Sequence, residues 1–438
     1  MHAHDTQTAV RPAVRPAKNA AVADAAVPDP GGVADARLAD TSGPAGAMLQ
    51  LLAVGPQDVF LTAEPTMSFY VQSYRRISPF AIHTAALQMQ QDLVFGRVSR
   101  VDVPRDGDLL GDLVLELRLP ALPSLGAGGA WVRHIGYVLL RRARLVINDT
   151  MVHDHERLWY DISDRLLCPD GKRAALDVML GGDRELPTNV EHLLYVPLKF
   201  LCCRGARTGR RGTQHLPLLA LANATITLEL HVEALSSCLA SGSPPAGPVA
   251  LAGSRVLGDF VVLDGPERAM LLAEPLTLMF EMVQDMESTN FTDAGTRTRV
   301  VNVDLRELNH PVRALVFVAY RDQYDTTNDQ YFRYLDVIRN ATLLFGSAQR
   351  FSPQGAGYFR LVQPLHAGVR CSSDNVHVYS FALNLASWQP TGSVNFAALE
   401  RPVLRIETDA QDDVKFKAFA VCTAWLRCFA GEAALLFV

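Results

Sequence analysis

Apolar and polar residues alternate along much of this chain. "ARLVIND" puts Ala143, Leu145 and Ile147 on one face, and "ATITLELHVEAL" does the same with Ile226, Leu228, Leu230 and Val232. A period of two sends successive side chains to opposite sides, so each run predicts a strand with one buried face. "RALVFVAYRD" and "VLRIET" are short and rich in β-branched or aromatic residues, while "KFKAFAVCTAWLRCF" keeps the alternation over a long span. Clusters of Gly, Pro, Asp and Asn separate these runs, and many short strands so spaced point to sandwiches or barrels. Helical spacing is scarce. "HERLWYDISDRLL" (155–167) and "NDQYFRYLDVIRN" (328–340) predict short helices within loops between strands.

Two shifts in composition organise the chain. Residues 1–47 are rich in Ala, Pro, Asp and Gly and hold almost no large apolar residues. Such a segment buries too little surface to offset its ordering entropy, which predicts a flexible arm that orders on a partner. "SSCLASGSPPAGPVALAGS" (236–254) reads as a linker or long surface loop. It leaves blocks of similar size at 48–235 and 255–438. Ala63-Glu64-Pro65 and Ala273-Glu274-Pro275 open similar stretches in the two blocks, an echo that fits duplication or chance in an alanine-rich chain.

"VYSFALNLASWQPTGSVNF" (378–396) starts as a strand and then breaks. Its bulkier face would be His377, Tyr379, Phe381, Leu383 and Leu385. Pro390 cannot donate to a ladder, Gly392 supplies backbone freedom, and Trp388 is placed to cap the end of a core. On these grounds the corner is either a rigid surface device or an ordinary sandwich turn.

The chain has 438 residues, of which 49% are hydrophobic and 20% charged, enough to fill more than one core. Its 41 basic and 46 acidic residues are mixed, giving a net charge of −5, so no electrostatic grip on nucleic acid is indicated. No apolar run approaches the roughly 20 residues that cross a bilayer, and no secretory signal is visible. The seven cysteines are odd in number and form no C-x-x-C pair, which predicts reduced, mostly buried thiols in an intracellular protein.

The same corner carries a resemblance. Tyr379, Ser380, Phe381, Ala382, Leu383, Gln389, Pro390, Gly392, Asn395 and Phe396 match a segment of the major capsid proteins of nucleocytoplasmic large DNA viruses, Y-S-F-A-L-x-P-x-x-x-Q-P-S-G-x-x-N-F-S. Leu385, Thr391 and Ala397 depart from it. Further segments agree in the family's order. Phe69, Tyr74, Arg75, Arg76 and Phe80 resemble its opening strand; Ile135, Gly136, His155 and Trp159 fall in register with a later segment. "VPLKFLCCR" and "LPLLAL" resemble another, interrupted here by an Arg-rich insertion. Asn309, His310, Pro311 and Val312 resemble the N-H-P-V strand, and "RFSPQGAGYFRLVQP" a last one. Together these cover roughly residues 57–438.

The resemblance implies an all-β chain of two tandem eight-stranded antiparallel jelly rolls, a double jelly roll, with short helices in loops. It implies a structural protein of the virion capsid, assembled inside the infected host cell, forming homotrimers that tile an icosahedral shell as pseudo-hexagonal capsomers. Neighbouring capsomers, minor capsid and penton proteins and an inner membrane-associated layer would be its partners, with no direct nucleic-acid binding and no cofactor. A minor capsid or scaffold protein of the same fold, or a jelly-roll carbohydrate-binding or cupin-type enzyme, are the alternatives.

Candidate chemistry is sparse. His153 and His155 would share a face of an extended segment, and a metal there would need a third ligand; core imidazoles are the plainer account. Arg204, Arg207, Arg210 and Arg211 gather among glycines as a solvated loop or an inter-capsomer contact. Sequons stand at Asn148, Asn223, Asn290 and Asn340, with Asn148 and Asn290 the candidates for glycosylation. No G-x-S-x-G, H-E-x-x-H or P-loop is present, and no catalytic or metal residue is assigned.

Overall fold

The computed structural model describes residues 44–65, 77–125, 128–203, 215–242, 244–245, 247–288, 291–293, 299–321, 331–371, 374–409 and 414–436. Residues up to Ile77 form one unit and Ser78–Val438 another. In the first unit, α1 (Pro44–Leu52) spans the expected boundary at 47, and α2 (Pro56–Thr62) is helical where the family resemblance predicts the start of a strand. Pro56 presets the first helical turn and the Asp58 carboxylate accepts the Gly55 N–H at 2.8 Å, so local capping outweighs the strand pattern. Residues 66–76, which hold most of that predicted strand, lie outside the described residues.

The second unit begins with β1 (Phe80–Leu87), β2 (Val98–Asp102), β3 (Leu109–Leu119), β4 (Ala130–Trp131), β5 (Leu140–Ile147), β6 (Thr150–Glu156), β7 (Leu186–Pro187), β8 (His192–Pro197), β9 (Ile226–Val232), β10 (Leu239–Ser241) and β11 (Arg255–Leu263). Helices α3 (Ile135–Leu139), α4 (Arg157–Leu167), α5 (Asp170–Leu180) and α6 (Leu235–Cys238) lie in the connections. Two four-stranded antiparallel sheets face each other, in orders β1-β11-β3-β8 and β2-β9-β5-β6. The predicted alternation is realised: Ile226, Leu228, Leu230 and Val232 are buried while Thr227, Glu229 and His231 are half-buried.

A second pair of sheets follows α7 (Gly265–Ala273). Its strands are β12 (Leu276–Ser288), β13 (Phe291–Asp293), β14 (Arg299–Asp304), β15 (Pro311–Tyr320), β16 (Ile338–Phe345), β17 (Ala348–Gln349), β18 (Gln354–Gly355), β19 (His377–Ser380), β20 (Val394–Asn395), β21 (Pro402–Thr408), β22 (Lys415–Phe429) and β23 (Glu432–Leu436). One sheet runs β12-β22-β15-β19 and the other β13-β14-β21-β16-β17. In each half the last long strand, β11 or β22, lies between the first two strands of its sheet in chain order, β1 and β3 or β12 and β15. The chain is therefore two jelly rolls of one topology, and each of the similar Ala-Glu-Pro runs at Ala63 and Ala273 lies at the C-terminal end of a short helix.

The expected division at 254 does not coincide with the sheets. Residues 255–263 form β11, hydrogen-bonded between β1 and β3 of the first roll. The Leu263 N–H donates to buried Asp108 at 2.8 Å and Arg255 pairs with Glu116 at 3.0 Å, contacts that hold the strand in that roll. The stretch taken for a linker contributes α6, β10 and buried Leu251 to it as well. A small-residue composition marks a loop, but only pairing shows which sheet the next strand joins.

The predicted helix at 155–167 is α4, and all fifteen residues of "KFKAFAVCTAWLRCF" form β22. The helix predicted over 328–340 is not formed by its described residues. Phe332 and Tyr334 are buried, Tyr334 bridges to Tyr320, and β16 has begun by Ile338. Burial of two aromatics and the β-branched Val337-Ile338 pair override a helical spacing that rests on few residues.

Candidate functional site

Strand pairing brings two distant sequence motifs together. Pro311 faces Asn395 and Val312 faces Val394 across β15 and β20. Pro311 opens its strand, where a missing N–H costs no ladder bond. Asn309 accepts from the Gln284 side chain at 2.7 Å, and His310 is buried, which lowers its pKa. Asn395 accepts the Ala397 N–H at 3.1 Å and so starts the short turn that buries Phe396 between Phe345 and Phe381, at ring distances of 5.9 and 5.8 Å.

β19 ends at Ser380, five residues short of the alternation expected to reach Leu385. The Ser380 hydroxyl accepts the Ala382 N–H and donates to the Ala382 carbonyl, a local turn that competes with the ladder. Beyond it the loop sets each side chain: Leu385 is buried and Leu383 exposed. Trp388 is also exposed, so it does not cap the core; Phe396 is buried in the core of the second roll and Leu385 in the core continuous with the first. Gln389 and Pro390 lie at the surface. Gly392 has φ +144°, and a Cβ there would stand 2.6 Å from the Phe381 carbonyl oxygen, so the turn requires glycine.

Buried Arg313 organises this corner. Its backbone carbonyl accepts from Phe381 and Ala382, while its guanidinium donates to the carbonyls of Leu385 and Ser387 at 3.1 and 2.7 Å and pairs with Glu281 at 3.3 Å. A lone arginine in an apolar run carried no sequence signal of this role.

β15 is buried on both faces. Leu315, Phe317 and Ala319 enter the core of the second roll, while Ala314, Val316, Val318 and Tyr320 join a core continuous with the first. The seam between the rolls is closed from the other side by β6 and α4. Trp159 packs on Phe419 at 5.6 Å and His153 on Phe280 at 5.0 Å. Charges are sequestered here in pairs. Lys417 meets Glu156 and, at 2.8 Å, Asp285; burial opposes its charge, but the two carboxylates outweigh that and its pKa is raised. Asp161 accepts from Arg165 at 2.6 Å and from the Tyr334 hydroxyl at 2.8 Å, and Arg165 reaches Asp374 at 2.7 Å.

His153 and His155 lie side by side in β6, rings 5.0 Å apart, and His153 accepts the Leu201 N–H at 3.0 Å. Burial and then the neighbouring His155 push the His153 pKa well down, so it is a neutral core imidazole. No group of three or more metal-capable side chains occurs among the described residues. Arg204, Arg207, Arg210, Arg211 and Asn290 lie outside the described residues. Asn148 turns the β5–β6 hairpin at φ 52°, accepts from the Thr225 N–H at 2.8 Å and donates to Glu432 at 2.6 Å. The amide nitrogens of Asn223 and Asn340 donate to the Ala430 carbonyl and to Glu407. All three sequon amides are thus engaged in hydrogen bonds, with Asn223 exposed and Asn148 and Asn340 half-buried.

Comparison with known proteins decides the family. Residues 68–254 match the model of the major capsid protein N-terminus, and residues 267–423 match the large eukaryotic DNA virus major capsid protein. The chain belongs to this capsid protein family. The major capsid protein of Paramecium bursaria Chlorella virus 1 is 27% identical over 398 residues, covering 83% of this chain and 87% of that one. That of Pyramimonas orientalis virus is 24% identical, covering 90% and 99%. PBCV-1 VP54 superposes with a TM-score of 0.72 at 22% identity, over 85% of this chain and all of the other, and the Faustovirus major capsid protein with 0.64 at 10% identity. At such identities the superpositions show the double jelly-roll fold. Within this capsid protein the two family segments meet along the buried seam, whose charged residues — Lys417, Asp161 and Arg165 — lie on surface-like helical or strand positions in the sequence.

Proposed function

We propose that this chain is the building tile of an icosahedral virion shell: three copies join into a pseudo-hexagonal capsomer, capsomers tile the shell, and the chain catalyses no reaction. The observation that carries the reading is that one chain holds two jelly rolls of the same strand order, locked by a buried seam, with a capsid family match on each half. Two similar lobes let three chains imitate six-fold packing. Contacts within a capsomer are then large and partly apolar, and contacts between capsomers smaller and more polar. Many weak contacts add by multivalency, so a growing shell corrects errors and a closed one persists.

In the same reading the arm at residues 1–47 clamps the inner face, on minor capsid or penton proteins or an inner membrane-associated layer, and the arginines at 204–211 contact neighbouring capsomers. Light scattering on the purified chain tests the tile: a stable three-chain particle supports it, and a single chain opposes it. Copy number in purified virions separates a major from a minor capsid protein of this fold.

A further inference from the structure

Cys202 and Cys203 are neighbours in sequence, and the fold makes their sulfurs neighbours in space. In a strand, successive side chains point to opposite faces. Here the chain has left β8 and turns instead: the Cys203 N–H donates to the Phe200 carbonyl at 3.0 Å, with Leu201 and Cys202 at the corners. The two sulfurs lie 3.9 Å apart, in hydrogen-bonding contact. The turn is held in place from the seam side. The Leu201 N–H donates to His153 at 3.0 Å, and the buried Phe200 ring lies 5.8 and 6.0 Å from the rings of His153 and His155.

The two thiols differ in access. Cys203 is half-buried, whereas Cys202 is 1% exposed. The hydrogen bond to Cys203 and then burial raise the Cys202 pKa well above its usual value, so this thiol stays protonated and out of reach of solvent. Tyr160 is fully buried in the same neighbourhood. Its hydroxyl makes no hydrogen bond among the described residues. Burial, followed by Cys203, raises its pKa, so it is a neutral donor not committed elsewhere.

We propose that Cys202 and Cys203 are a redox modification site, which takes hydrogen peroxide as oxidant and closes to a disulfide between adjacent residues. The accessible Cys203 sulfur gives its proton to solvent and attacks a peroxide oxygen. The O–O bond breaks, a sulfenic acid forms on Cys203, and the departing hydroxide takes up a proton to become water. The Cys202 sulfur then attacks the Cys203 sulfur; the S–O bond breaks, and hydroxide leaves with the Cys202 proton as a second water. In sum the two thiols lose two hydrogens and two electrons, and one peroxide is reduced to two waters. The sulfurs close from 3.9 Å to about 2 Å by rotation of both side chains and adjustment of the peptide between them. So small a ring is strained, and strained disulfides are readily reduced, which makes the site reversible. A virion passes from the reducing interior of a cell to an oxidising outside, and a reversible dithiol registers that passage. The site is independent of the capsomer reading, and its failure leaves that reading intact.

The sequence provides a direct test. Trypsin cuts after Lys199 and Arg204, so both sulfurs fall in the peptide 200–204, which holds no other cysteine. The full chain is treated with hydrogen peroxide at neutral pH until the exposed Cys371 is oxidised, then unfolded with iodoacetamide and mapped by mass. The expected peptide is two hydrogens lighter than the dithiol and carries no alkyl group, and dithiothreitol before alkylation returns it to the doubly alkylated form. In Cys202→Ala, Cys203 stops at the sulfenic acid and is captured by dimedone. In Cys203→Ala, Cys202 stays reduced over the time in which the wild type closes. A wild-type peptide that remains doubly alkylated overturns the proposal. So does one with sulfinic acid at Cys203 beside a free Cys202, or one joined to Cys371 of another chain. The wild-type map decides without either variant, so a variant that fails to fold leaves the test standing.

Discussion

The Tyr334 hydroxyl of the second roll donates to the Asp161 carboxylate of the first at 2.8 Å, with Arg165 on the same oxygen at 2.6 Å. This buried bond ties the two rolls at one end of their seam. Tyr334→Phe removes one donor and leaves Asp161 paired, so it should cost about 1–2 kcal/mol. Asp161→Ala leaves Arg165 with the Asp374 carboxylate and the Phe332 carbonyl and should cost about 3 kcal/mol or more. Denaturant midpoints of the two variants check the order.

Trp159 is buried on α4 and meets Phe419 across the seam. Trp159→Ala should destabilise by about 3–5 kcal/mol, through lost burial and the cavity left behind. A second transition in the unfolding curve would show the rolls separating before they melt.

At the corner the two residues that look most alike in importance should behave differently. Gly392→Ala forces a Cβ against the Phe381 carbonyl at a positive φ and should cost on the order of 1–3 kcal/mol. Trp388→Ala at the exposed neighbouring position should cost about 1 kcal/mol or less. Thermal unfolding of both variants decides, and a Trp388→Ala loss as large as that at Gly392 would contradict the exposed placement.

Burial, with Arg360 nearby, pulls the His377 pKa from 6.5 down to about 4, and burial with His155 nearby holds His153 well below 6.5. Asp336 and Glu281 oppose these shifts without cancelling them. The unfolded chain binds protons at these histidines below about pH 6.5 while the folded chain does not. Stability is therefore full above 6.5 and falls as the pH drops from there toward 4, by on the order of 3 kcal/mol for His377. His377→Gln should flatten that slope between pH 6.5 and 4, measured as denaturant midpoint against pH.

The thiols offer a cheap map of the fold. Cys371 is exposed and Cys203 half-buried, whereas Cys168, Cys202, Cys238, Cys422 and Cys428 are buried. Burial pushes the Cys428 thiol up to about 11 and raises those of Cys238 and Cys422 further. A thiol reagent at neutral pH should modify Cys371 first and Cys203 more slowly, with the buried five reacting only after unfolding, as mass mapping would show.

Local pattern determined much of this protein. Alternation located β5, β9 and β22, β-branched and aromatic composition located β15 and β21, and apolar spacing located α4, because a residue's side in a strand or helix follows from its neighbours in sequence. The capsid family was legible too, through Gln389, Pro390, Gly392, Asn395 and Phe396 and the Asn309-His310-Pro311 run. Tertiary structure alone decided which strands share a sheet. It placed residues 255–263 in the first roll, met Pro311 with Asn395, buried Arg313 and Lys417 among carboxylates, and turned Trp388 outward. Those outcomes depend on pairing and burial between segments far apart along the chain, and no period in a local window encodes which distant surface a strand will meet.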